Sequence, residues 1–142
     1  MGSASFVVRA RSSAAPERLF ALLADAPAWA EWAGPLVPQA RWEPGTPAGV
    51  GGVRRVGAGP LSVREKVVRH EAPSVFSYVL LSGVRWHGYR ADVHLLPDAG
   101  TTVVEWNGRV STPVPRAEHL LLPPFRRAVE DFTKRLVHAA ER

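Results

Sequence analysis

Glu65 has the setting that most invites chemistry. It stands in a run from Leu61 to His70 whose side chains alternate apolar and polar. A period of two marks a strand with one buried face. Leu61, Val63, Glu65 and Val67 then share a face, opposite Ser62, Arg64 and Lys66. A carboxylate on an apolar face loses its water, so it must find a partner or keep its proton. Two uses follow. With a raised pKa it can serve as general acid or base toward an enol or keto group. Bridged to Arg54 or to backbone, it would instead tie two neighbouring strands together. The residue pattern leaves both open.

Two further groups can move or hold protons. In the run Val75 to Ser82 the inner face carries Phe76, Tyr78 and Leu80. The Tyr78 hydroxyl can hydrogen-bond a carbonyl, or reach from the core to a cavity rim. In the run Tyr89 to Leu96 the inner face carries Tyr89, Ala91, Val93 and Leu95, against Arg90, Asp92 and His94 outside. Extending that parity backward turns His87 inward, where an imidazole exchanges protons near neutral pH. The plainer alternative is an exposed loop histidine beside Gly88.

Other chemistries find little footing. There is no cysteine among the 142 residues, which removes disulfides, thiolate nucleophiles and cysteine zinc sites together. The five histidines show no metal-ligand spacing, so no metal is expected. Gly49-Val50-Gly51-Gly52 does not precede a helical pattern, so it is a poor phosphate cradle. The net charge of +5 is carried almost wholly by arginines scattered along the chain. Without a basic block, nucleic acid is not an expected partner. No apolar run is long enough to span a membrane, and the first residues lack the character of a signal peptide, so the cytoplasm is the expected compartment. The rich arginine, alanine and proline content is of the kind a GC-rich bacterial gene produces.

These side chains need elements to position them. Phe6 to Arg11 reads as a strand. Pro16-Glu17 suits a helix start, and Leu19, Phe20, Leu22 and Leu23 give that helix an apolar face to about Ala24. Asp25-Ala26-Pro27 breaks it. Pro27 opens a short second helix carrying Trp29 and Trp32, which Gly34-Pro35 closes. From Leu36 to Ser111, glycine and proline punctuate short runs rich in β-branched residues. The runs are Leu36 to Trp42, one through Val56, Leu61 to His70, Val75 to Ser82, Tyr89 to Leu96 and Thr101 to Ser111, joined by hairpin-length turns such as Pro97-Asp98-Ala99-Gly100. That predicts an antiparallel meander. In its last strand Val104, Trp106 and Val110 look inward, while Glu105, Asn107 and Arg109 look outward. From Arg116 to Arg142, Leu120, Leu121, Phe125, Val129, Phe132, Leu136 and Val137 recur at helical spacing. Pro123-Pro124 inside this stretch should kink the helix or split off its first part.

The order is strand, two helices, six strands and a long helix: an α+β chain of one domain over residues 1–142. It resembles the helix-grip fold, a curved antiparallel sheet of about seven strands around a long C-terminal helix. Local segments strengthen the likeness. Ala15-Pro16-Glu17-Arg18-Leu19-Phe20-Ala21-Leu22-Leu23-Ala24-Asp25 resembles the first-helix signature of the polyketide cyclase/dehydrase family of the START-like (SRPBCC) superfamily. Trp29 and Trp32-Ala33 look like its tryptophan-bearing segment, and Gly49-Val50-Gly51-Gly52-Val53-Arg54 its third-strand entry. Glu65, Pro73 and Tyr78, then Gly100-Thr101 and Trp106, fit its later strands. The likeness runs from about Val8 to Phe132.

The resemblance implies a cavity between sheet and last helix that holds an apolar, often polycyclic small molecule, without a cofactor. Trp29, Trp32, Arg54, Phe76, Trp86, Tyr89, Trp106 and Phe125 are then the expected ligand-binding set, and Glu65, His87 and Tyr78 the expected catalytic one. Trp32 reads equally as a core plug. Trp86 suits the rim, and Trp42 is structural. The expected activity is a cofactor-independent cyclase, aromatase or dehydratase acting as monomer or homodimer. The alternative is a carrier or sensor without chemistry, and a weaker one is a regulatory partner in a toxin or stress system.

Overall fold

A computed structural model describes residues 2–82 and 88–142. Among these residues the chain runs β1 (Gly2–Ser12), α1 (Pro16–Ala24), α2 (Ala26–Trp32), β2 (Gln39–Trp42), β3 (Val53–Gly57), β4 (Val63–Glu71), β5 (Val75–Ser82), β6 (Gly88–Asp98), β7 (Thr101–Thr112) and α3 (Glu118–Ala140). The strands form one seven-stranded sheet in the order β1-β7-β6-β5-β4-β3-β2. Each pairing is antiparallel. This is the helix-grip arrangement that the sequence order resembles.

The inner face follows the alternation of each strand. On β6, Tyr89, Ala91, Val93 and Leu95 are buried, and on β7 so are Val104, Trp106 and Val110. Both helices of the first half pack their apolar residues on this face, with Leu19 and Leu23 of α1 wholly buried. The long α3 lies along β1 and β7 and against α1. Its far end is pinned to the end of β1. Glu141 accepts hydrogen bonds from the Ser12 hydroxyl at 3.0 Å and from the Ser13 backbone N–H at 2.8 Å. These bonds hold the Glu141 carboxyl below the usual carboxylate range.

Two features interrupt the regular pattern of the sheet. The pairing of β4 with β5 shifts register between Arg64 and Glu65 and again between Val67 and Arg69. Such bulges kink a strand and sharpen its twist. On the other side, the Phe6 ring of β1 packs against Gly108 of β7, its cross-strand partner. A Cβ on Gly108 would stand 2.2 Å from the Phe6 ring, so only glycine admits the ring there.

Three expectations need adjustment. β4 begins at Val63 rather than Leu61, because Gly59–Leu61 closes a 3₁₀ turn through the Ser62 N–H to Gly59 C=O bond. The run from Leu36 to Trp42 yields only the short β2, because Gly34-Pro35 closes α2 as expected and the Val37 N–H then bonds back to the Gly34 C=O. Pro123 and Pro124 do not split the tail, and α3 runs through both. Both prolines face solvent. The carbonyls they leave without a helical donor, at His119 and Leu120, belong to exposed residues, and water can serve them there.

The β6–β7 hairpin turns on Ala99 and Gly100, with φ of 50° and 83°. Positive φ at both central residues marks a type I′ turn, which suits the strand twist and favours Asn-Gly. A left-handed alanine costs roughly 1 kcal/mol that asparagine largely avoids. Ala99→Asn is therefore expected to raise stability by about 0.5–1 kcal/mol. Urea unfolding should show a higher midpoint with an unchanged m value.

Candidate functional site

The site is built around a buried cation. Arg54 on β3 has no exposed surface. An arginine keeps its charge under these conditions, so its surroundings must supply compensation. Three sources do so. Glu65, directly opposite on β4, accepts from Arg54 Nε at 3.0 Å. Arg54 Nη1 donates to the Leu23 carbonyl at 3.3 Å, at the C-terminal and therefore negative end of α1. The guanidinium carbon lies 4.4 Å from the Trp29 ring centroid, 4.7 Å from that of Tyr78 and 5.4 Å from that of Phe76. Such cation–π contacts strengthen when water is excluded.

The tryptophans of α2 complete the end of α1. Trp29 Nε1 donates to the Leu23 carbonyl at 2.9 Å and Trp32 Nε1 to the Leu22 carbonyl at 3.1 Å. Helix ends leave such carbonyls without intrahelical donors, and here indoles and Arg54 satisfy them. The Asp25-Ala26-Pro27 break thus folds α2 back so that both rings reach α1. Trp29 also packs edge-on against Tyr78, Trp106 and Phe132.

Beside this cluster is a cavity of about 250 Å³ between the sheet and α3. Its wall includes Trp29 from α2, Val63 and Glu65 from β4, Tyr78 and Leu80 from β5, Tyr89 from β6, and Phe125, Val129 and Phe132 from α3. Leu36 and Val37 contribute from the segment after α2. Phe125 stacks on Tyr89 with ring centroids 4.4 Å apart. A larger hollow of about 570 Å³ lies over β2 and β3, but none of its lining residues is buried.

The polar groups on the wall are few. Glu65 is 9% exposed, and burial raises its carboxyl pKa, against the opposing pull of the Arg54 charge and hydrogen bond. Burial pushes the Tyr78 phenol well above its ordinary value, with Tyr89 and Glu65 adding to the shift. Burial likewise raises Tyr89, and Glu65 adds to it. The Tyr78 O–H and Trp106 N–H lean toward the Tyr89 oxygen and offset part of that rise, but neither closes a hydrogen bond of normal geometry. The Tyr89 hydroxyl, Trp106 Nε1 and Arg54 Nη2 are buried without a hydrogen-bond partner among the described residues.

The expected residues sort into two layers. Glu65, Tyr78, Trp29, Tyr89 and Phe125 line the cavity together. Arg54, Phe76, Trp32 and Trp106 are buried and do not appear in its wall. Arg54 and Phe76 form a second layer under Trp29 and Tyr78, Trp32 packs on Trp29, and Trp106 lies against Trp29 and Phe132. Trp86 and His87 fall outside the described residues. Sequence reasoning missed Phe132 and Val129 as wall residues, while strand parity had already turned Leu80 inward. The two missed residues carried a usable signal, since Phe125, Val129 and Phe132 fall four and seven residues along one helix face.

No group of three or more metal-ligating side chains occurs among the described residues, and no helix there is long and apolar enough to cross a membrane. A family model described as polyketide cyclase / dehydrase and lipid transport matches residues 3–141. No curated protein matches the chain in sequence. Among solved structures, Ara h 8.0201 superposes with a TM-score of 0.75 at 18% identity, covering 98% of each chain. An uncharacterised protein from Bacillus thuringiensis gives 0.74 at 17% identity, over 96% of this chain and 98% of that one. The protein XoxI from Bacillus cereus gives 0.75 at 18% identity, over 96% and 94%. At these identities the likeness establishes the fold.

Two outcomes follow from the buried pair. Removing one partner strands the other, so Arg54→Met should cost about 3–5 kcal/mol. The Arg54→Met/Glu65→Leu double variant should lose far less than the sum of the single losses, and urea unfolding of the three variants measures the coupling. The second outcome concerns pH. Glu65 in the native state keeps its proton above the ordinary glutamate value of 4.5, where the unfolded chain has released it. Its contribution is therefore full below that value and is lost as pH rises through the folded pKa. Glu65→Gln should flatten that part of the stability–pH curve.

Proposed function

The chain belongs to the polyketide cyclase/dehydrase and lipid transport family of START-like proteins, and on that premise we propose that its cavity holds an aromatic or polyketide-like small molecule and acts on it as a cofactor-independent cyclase, aromatase or dehydratase. The observation that carries the reading is the position of Glu65, the one carboxyl on a largely apolar wall among the described residues. Small-molecule sites combine such walls with a few placed polar groups. One carboxyl oxygen is held by Arg54. The group thereby has a fixed orientation, and burial moves its pKa toward the range where it can give and take a proton. In an aldol closure Glu65 would remove a proton next to a ketone and return it to the oxygen of the carbonyl attacked; in a loss of water it would return it to the departing hydroxyl. The wall holds the substrate near its reactive shape, and Tyr78 donates a hydrogen bond to a carbonyl.

A second reading is a carrier of a hydrophobic metabolite. It is favoured by the two wall tyrosines, whose protons stay bound far above neutral pH, so that they can donate hydrogen bonds but cannot act as bases. Glu65 separates the two readings. A bound α-tetralone should exchange its α-protons for deuterium faster with the protein than without it. Glu65→Gln should lower the protein-dependent rate by about a hundredfold or more, the scale of general acid–base catalysis. Proton NMR in D₂O follows the exchange directly. An unchanged rate in the variant would leave the carrier reading.

A further inference from the structure

The hydrogen-bond accounting of the cavity is unbalanced in one direction. Tyr89 is 7% exposed and lines the cavity. Its hydroxyl has no partner among the described residues. The N–H of the fully buried Trp106 acts on the Tyr89 oxygen without closing a hydrogen bond of normal geometry. Indole N–H is a donor only. With such a donor on the oxygen side, the Tyr89 proton is the group left to donate outward. Of the Glu65 oxygens on the same wall, Oε1 accepts from Arg54, and Oε2 does not receive the Tyr89 hydroxyl. A buried polar group without a partner is costly, and such groups in native proteins mark functional sites or bound water.

The cavity supplies the second constraint. Its volume of about 250 Å³ lies just below the ~300 Å³ at which pockets for drug-sized ligands begin. That space suits one or two rings rather than an extended polycycle. Phe125, stacked on Tyr89, places an aromatic face beside the donor.

Resting on the binding reading above, we infer that the ligand is a one- or two-ring apolar compound that presents a single acceptor oxygen, a ketone or phenolic oxygen, to the Tyr89 hydroxyl. Tyr89 is then the residue that selects the ligand, separate from any role of Glu65 in proton transfer.

The test compares α-tetralone with tetralin, which has the same two-ring skeleton without the oxygen, on the wild-type protein and on Tyr89→Phe. Calorimetry should show the ketone binding about ten- to a hundredfold tighter to wild type, the scale of leaving a buried donor unpaired. Tyr89→Phe should bring the two affinities together by weakening the ketone and leaving tetralin unchanged. The variant keeps the ring against Phe125 and deletes a hydroxyl without a partner, so the ligand-free protein should melt at the same or a higher temperature. Equal affinities in wild type, or a variant that melts well below wild type, would overturn the inference while leaving the cavity a binding site. If neither compound binds wild type, the inference and the binding reading fall together.

Discussion

A charge that has no contact with water organises this molecule. Arg54 lies in the sheet with its guanidinium inside the core, and the arrangement around it follows from the need to compensate that charge. Glu65 must stand directly across on β4, α1 must end with a free carbonyl overhead, and aromatic faces must close the remaining sides. Each requirement ties a different part of the chain to the others. The break at Asp25-Ala26-Pro27 turns α2 so that Trp29 reaches both the end of α1 and the guanidinium. The first half of the chain and the meander are therefore joined by directed bonds as well as by apolar packing. Such a pair adds little net stability relative to a well-packed apolar core, since desolvation offsets most of the attraction. Its value is to hold one carboxyl oriented at the edge of a cavity.

The cavity inherits its character from that cluster. Trp29 and Tyr78 are at once the walls of the arginine box and walls of the cavity, so the guanidinium influences the site through them without entering it. Glu65 is the only ionisable carboxyl on the wall among the described residues, and the tyrosines beside it are donors. A site of this composition separates two tasks. On the proposed reading, hydrogen-bond donors select an oxygen and the carboxyl exchanges protons. The apolar remainder, supplied largely by the inner face of α3 and by Leu36, Val37, Val56, Val63 and Leu80, sets the size of the site.

Strand parity made much of this legible in the sequence. The alternation on β4, β5, β6 and β7 placed Glu65, Tyr78, Tyr89 and Trp106 on the inner face, because a side chain on a strand has only two directions to choose from. Arg54 was harder to place. In Val53-Arg54-Arg55-Val56 the two valines have opposite parity, so the pattern does not say which arginine turns inward. The pairing register settles it, with Arg54 opposite Glu65 and Arg55 opposite Arg64. The division between wall and second layer was also beyond the sequence, since Trp106 and Tyr89 share an inner face and differ only in depth. The doubled proline does not split α3, and that outcome depends on which side of the helix faces water.

The most direct test of the account is a carbon-13 NMR titration of the Glu65 carboxyl, assigned through Glu65→Gln, with and without α-tetralone. A buried carboxyl at the wall of an occupied cavity should titrate above the usual glutamate range and move further upward when the ketone displaces water beside it. A carboxyl that titrates like an exposed glutamate and ignores the ketone would contradict both the buried pair and the cavity it serves.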